Sequence, residues 1–275
     1  MKYAICNETF EGWSHTRICG RIAELGYRGL EIAPYTQAPL ITDVTAAKRA
    51  ELKREADAAG VTILGLHWLL KNTVGFYLTS PDASVQQRTG EYFAELARTA
   101  AELGGDILVL GSPLQRNLLP GVTQALADDY AAATLSHCLK SLADNGVTLC
   151  LEPLGPAETN YMNTAAEAVA LIDKLGHPNV KLHLDVKAMA DEPKPTPQVI
   201  RDNATYTRHF HANDPNRRGP GFGDVRFEPI FQALNETKYD GWVSVEVFDY
   251  TPDPDTIARE SIRYLKECHA SAMRR

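Results

Sequence analysis

Short apolar runs recur along the chain, each followed by a polar loop and then a longer helix-like stretch. The runs are YAICN near Tyr3, GLEIAP near Leu30, TILGLHW near Ile63, ILVLGS near Val109, TLCLEPL, VKLHLDVK, RHFHAND and GWVSVEV. They are too continuous in Val, Ile and Leu for strands with one wet face, so they predict a parallel sheet covered on both sides by helices. About eight such units are what closes a (β/α)₈ barrel. The fold class expected is therefore a single (β/α)₈ TIM barrel, with residues 1–275 forming one catalytic domain.

Helix signals fall between the runs. Ser80, Pro81 and Asp82 read as N-cap, first helical position and acidic first turn. Thr164 and Glu167 form a capping box, and Asp253 with Pro254 opens the last helix. Gly26, Gly60, Gly104, Gly146 and Gly176 each sit after a helix-like stretch and before the next run, where a left-handed residue ends a helix. The Pro-rich stretch ADEPKPTPQ follows a strand and reads as a loop on the active-site face, and GPGFGD around Phe222 reads as a flexible loop.

Composition narrows the function. The 275 residues carry a formal net charge of -7, which gives no electrostatic reason to expect a nucleic acid or an anionic membrane as partner. VTILGLHWLL is far too short to span a bilayer, and the N-terminus lacks the basic and apolar regions of a signal peptide, so a cytoplasmic protein is expected. Five cysteines without paired spacing indicate neither a disulfide framework nor a zinc knuckle. A small molecule is the partner this points to, with homo-oligomerisation left open.

The last four runs carry the candidate chemistry. Glu152, Asp185, His211 and Glu246 lie near their C-terminal ends, and in a barrel those ends converge on the active-site face. Several close carboxylates repel one another unless a cation neutralises them. Three carboxylates and one imidazole form a hard donor set that suits Mn²⁺, Mg²⁺ or Co²⁺. His67 and Trp68 at the end of the third run offer an imidazole and an aromatic wall. Trp13, His15 and Gln115 follow the first and fourth runs and are further candidates to line a pocket. His183 and His209 each precede a candidate donor by two residues, so they share its side of the strand.

LEPLGPAETNYMNT, HLDVKAM, HFHANDPN and VSVEVFD, together with GLEIAP and GLHWLL, resemble the xylose-isomerase-like sugar isomerase and epimerase family, which includes ketose 3-epimerases and hydroxypyruvate isomerases. The resemblance implies that Glu152, Asp185, His211 and Glu246 hold one divalent ion, Mn²⁺ or Mg²⁺. It makes Glu152 and Glu246 the acid/base pair, one on each face of a flat enediolate, and a sugar the substrate. It also implies that Glu158 touches the substrate end or a metal-bound water, and that Arg217, or Arg218 beside it, contacts the sugar's oxygens. One departure follows Asp185: the ketose 3-epimerases have a substrate-contacting His three residues later, where this chain has Ala188, with Lys187 beside it as an alternative positive donor. Two further functions share the barrel. A metal-dependent dehydratase of a keto-inositol would use the same proton abstraction, and an endonuclease IV-like nuclease would need extra ligands and a basic face.

Overall fold

The computed structural model describes residues 1–274. Eight parallel strands close a barrel in chain order: β1 (Lys2–Cys6), β2 (Gly29–Ile32), β3 (Thr62–Leu66), β4 (Ile107–Leu110), β5 (Thr148–Leu151), β6 (Val180–Asp185), β7 (Thr207–Ala212) and β8 (Trp242–Val245). Closure comes from β1 against β8, with Lys2 opposite Trp242 and Ile5 opposite Val245. Each strand is short and buried over most of its length, as the continuous apolar runs predict. Gly65, with φ 156°, allows β3 and β4 to meet: a Cβ there would lie 1.8 Å from the Ile107 carbonyl oxygen.

The helices are α1 (His15–Leu25), α2 (Ala46–Ala58), α3 (Ala83–Leu103), α4 (Gln124–Ser136), α5 (Leu139–Asn145), α6 (Ala165–Leu175), α7 (Val186–Met189), α8 (Thr196–Asp202), α9 (Phe227–Glu236) and α10 (Pro254–Ala272). They cover the barrel with apolar stripes. In α3, Phe93, Leu96, Ala97 and Ala100 recur at helical spacing and are fully buried, the larger side chains contributing roughly 1.5–3 kcal/mol each. Gly26, Gly104, Gly146 and Gly176 cap α1, α3, α5 and α6 in the left-handed region, and Gly60 follows the Ala59 cap of α2.

The α6 capping box and the Asp253 cap of α10 form as the sequence indicates. The start of α3 differs. Asp82, not Ser80, is its N-cap and accepts from the Ser84 amide, while Ser80 closes the preceding turn by accepting from the Asp82 amide. The Pro-rich stretch after β6 is not all loop, because Pro195 caps α8. The GPGFGD segment is held by Asn216, whose side-chain amide donates to the Phe222 carbonyl, and Val225, just after it, donates its amide to Asp214. All five cysteines are free and buried. Among the described residues, no helix is long and apolar enough to cross a membrane.

Candidate active site

The C-terminal rim brings the four sequence-predicted donors to one place. Glu152 and Glu246 follow β5 and β8 directly, and each amide still bonds to the preceding strand, at Leu110 and Ala212 respectively. Asp185 ends β6 and His211 lies in β7, paired across the ladder. Donor atoms of Glu152, Asp185 and His211 lie within 4.8 Å of one another, and His183 joins them. Glu246 completes the group through His211, its Oε2 being 3.1 Å from Nδ1. All five side chains are buried.

Each donor is held by a residue from elsewhere in the barrel. Glu31, on β2, accepts from His211 Nε2 at 3.2 Å and from His209 Nε2 at 2.7 Å, which directs His211 Nδ1 toward Glu246. Asn213 donates to Asp185 Oδ2 at 2.5 Å, while Asp185 Oδ1 caps α7 at the Ala188 amide. Trp68 Nε1 donates to Glu246 Oε1 at 2.6 Å, from a backbone with φ 53°. Arg116 is fully buried, and its Nη1 donates to the Glu152 carbonyl at 2.7 Å. Gly111 supplies the room for Glu152, since a Cβ there would sit 1.6 Å from Oε2.

Burial and mutual repulsion set the electrostatics. Burial pushes the Glu152 carboxyl well above its ordinary range, and Glu246 and Asp185 push it further. Burial, then Glu246, raises Asp185. Glu246 goes the other way: burial opposes its ionisation, but His211 beside it outweighs that and holds it ionised. Burial works against a charge on His211 too, yet Glu31 and Glu246 raise its proton affinity well above normal. His183, between two other imidazoles, is driven well below normal by burial and then by His211.

This donor set fits a divalent cation. Hydrogen bonds occupy only part of each carboxylate's capacity, the Glu31–His211 contact has the form of a carboxylate orienting a metal-bound imidazole, and both nitrogens of buried His183 lack a partner. Cation binding needs ionised carboxylates. Because Glu152 and Asp185 hold their protons above the usual carboxylate range, affinity is expected to rise with pH through that raised range, with proton release. Calorimetry with Mn²⁺ in buffers of different ionisation enthalpy measures both effects.

Over the cluster lies a cavity of about 270 Å³, lined in part by Glu152, Glu158, Arg217, Glu246 and Phe248. Glu158 ion-pairs with Lys187, whose ammonium stands 5.0 Å from the Phe248 ring centre. Arg217 lines the cavity, while Arg218 donates to the Thr251 carbonyl and packs over Phe222. Gln115 lines the same cavity. His67 does not face it: fully buried, it bonds Glu8 at 2.9 Å. Trp13 and His15 line a second, neighbouring cavity. Sequence reasoning missed Arg116, Gly111 and Glu8 and left Glu31 and Asn213 without roles; an acid inside the apolar GLEIAP run was the one visible signal.

Comparison with known proteins agrees with this architecture. The profile of the family described as "Xylose isomerase-like TIM barrel" matches residues 19–268. The chain is 30% identical over 232 residues to a D-psicose 3-epimerase of Agrobacterium fabrum, covering 83% of this chain and 77% of that protein. Among solved structures, an L-ribulose 3-epimerase superposes with a TM-score of 0.86 at 22% identity, covering 100% of this chain and 96% of the other. A 3-keto-D-glucoside 4-epimerase from E. coli does so with a TM-score of 0.84 at 22% identity, covering 98% and 100%. At that identity the two structures establish a shared fold.

Proposed function

Because the chain belongs to the xylose isomerase-like TIM-barrel family, we propose that it is a divalent-metal-dependent enzyme that epimerises or isomerises a keto sugar. The observation that carries this reading is the pair of buried glutamates, Glu152 and Glu246, gathered with Asp185 and His211 into one cluster beneath a cavity. Glu152, Asp185, His211 and Glu246 would hold the ion, with Mn²⁺ or Mg²⁺ matching the donor set. A bound cation would stabilise negative charge developing on the substrate's carbonyl oxygen.

The protein's residues account for the proton transfers. Glu246, ionised and fixed by Trp68 on one oxygen and His211 on the other, takes the proton from the carbon beside the carbonyl. Glu152 follows β5, separated from β8 by two strands, so a sugar lying between them presents one face to each carboxyl. Once it has taken up a proton from solvent, it delivers that proton from its own side, which inverts the carbon, while Glu246 gives the substrate's proton up to solvent; in the reverse direction the roles exchange. Glu158, Arg217 and Lys187 would contact the substrate's oxygens, with Lys187 and Glu158 forming one ion pair next in the chain to Ala188, which stands where ketose 3-epimerases have a histidine. Aromatic Trp68 and Phe248 stack with ring centres 5.7 Å apart and would wall the reacting carbon from water.

Metal-stripped protein in D₂O with a panel of ketoses tests this by NMR. Deuterium entering beside the carbonyl only after Mn²⁺ or Mg²⁺ is added, with an isomeric sugar as product, is the expected outcome. Exchange unaffected by chelation, or loss of water in place of isomerisation, overturns it.

A further inference from the structure

We propose that the substrate is a keto sugar carrying a second sugar ring through a glycosidic bond, and that this second ring occupies the cavity over the ends of β1 and β2. The proposal rests on the keto-sugar reading of the site and narrows its substrate. Where the bond is made through the keto sugar's own anomeric carbon, that carbon is locked and the carbonyl sits on another carbon of the ring.

The first observation is size. The cavity over the proposed acid/base pair is about 270 Å³, just below the roughly 300–1,000 Å³ usual for small-molecule sites. The neighbouring cavity is about 610 Å³. The two share Lys71, whose ammonium sits 3.3 Å from the Trp68 ring centre and 4.7 Å from that of Tyr35.

The second observation is an unsatisfied acceptor where the two meet. Glu8 lines the larger cavity and is 4% exposed, and donor atoms of Glu8 and Glu246 lie within 4.8 Å of each other. Its Oε2 bonds His67, but its Oε1 has no partner. A buried carboxylate oxygen left unpaired is costly, and a hydroxyl of a group entering from the reacting centre would satisfy it.

The lining then selects the chemistry. Trp13, Tyr35 and Tyr250 supply flat apolar surface beside hydrogen-bonding groups, which suits a ring with a C–H face and hydroxyl edges. Two carboxylates, Glu8 and Glu11, offset two ammonium groups, Lys48 and Lys71. A neutral polyol fits that balance better than a phosphate. Remote contacts of this kind raise kcat/KM when their binding energy is used at the reacting carbon.

The test compares 3-ketoglucose, methyl 3-ketoglucoside and 3-ketomaltose on the metal-loaded wild-type enzyme, by deuterium exchange and by calorimetric binding. The disaccharide is expected to bind at least about tenfold more tightly than the methyl glycoside and to gain similarly in kcat/KM. Gln37→Trp, which adds bulk to the lining of the larger cavity from a partly exposed position, is expected to abolish that preference while exchange with the free keto sugar persists. Equal binding of disaccharide and methyl glycoside by the wild type overturns the proposal whatever the turnover. Tight disaccharide binding without exchange upholds the second subsite and instead overturns the proton-transfer reading. Unchanged disaccharide preference in a folded Gln37→Trp protein places the second ring elsewhere and overturns the assignment of this cavity.

Discussion

Replacing either Glu152 or Glu246 with Gln is expected to lower the rate of deuterium exchange into the substrate by roughly 10²–10⁴-fold, the usual contribution of a positioned acid or base. Gln keeps the shape and one oxygen of each side chain, so the cavity and part of the cation affinity should persist. The two losses are not expected to add: once one face of the flat intermediate lacks its carboxyl, inversion has stopped, and the second substitution removes what little one-sided exchange remains. The single variants should differ. Glu246 is the group that His211 holds ionised, so Glu246→Gln removes the ready base and should suppress exchange from the first substrate epimer. Glu152→Gln leaves that base and removes the partner whose proton affinity burial has raised, so washout of label from one epimer should survive better than formation of the other. NMR started separately from each epimer reads the asymmetry. A double variant that still interconverts the epimers would exclude both residues from proton transfer.

The barrel was legible in the sequence because its information is local. Apolar runs of strand length, capping residues such as Thr164 with Glu167, and glycines at Gly26, Gly104, Gly146 and Gly176 each act within a few residues of themselves. The candidate site was legible to the extent that barrel geometry makes strand ends equivalent: one acid or imidazole at each of four successive ends must converge. What holds those four is encoded differently. Glu31 and His211 stand 180 positions apart and meet only because the barrel closes. Arg116 comes from a loop without periodicity, and Gly111 matters for the side chain it does not have. Chain position also says little about which way a rim residue turns. Trp13 looked like a wall of the catalytic pocket and lines the neighbouring cavity, while His67 faces Glu8. The sequence offered Lys187 as a positive donor beside Ala188, and the fold gives it Glu158 as a partner.

Substituting Arg116 with Met is expected to destabilise the protein by a few kcal/mol, roughly 1–3 kcal/mol for each buried carbonyl that loses its donor. The side chain is 1% exposed and has no carboxylate in direct contact; its guanidinium donates to the carbonyls of Glu152 and Met162. Burial alone lowers its proton affinity, to a pKa of about 10, against the pull of Glu152. Two separable effects follow from its loss. The two carbonyls lose their donor, at roughly 1–3 kcal/mol for each buried group left unpaired. The acid cluster of Glu152, Asp185 and Glu246 loses a buried positive charge, which should raise the Glu152 proton affinity further. A divalent cation addresses only the second effect, because it neutralises the carboxylates without reaching the carbonyls. Urea denaturation of Arg116→Met with and without saturating Mn²⁺ therefore divides the loss. If the metal restores a larger increment in the variant than in the wild type, Arg116 serves the site as a fixed counter-charge. Equal increments would make it a strut for the backbone that carries Glu152, and a variant as stable as the wild type would mean that Met packing compensates for both.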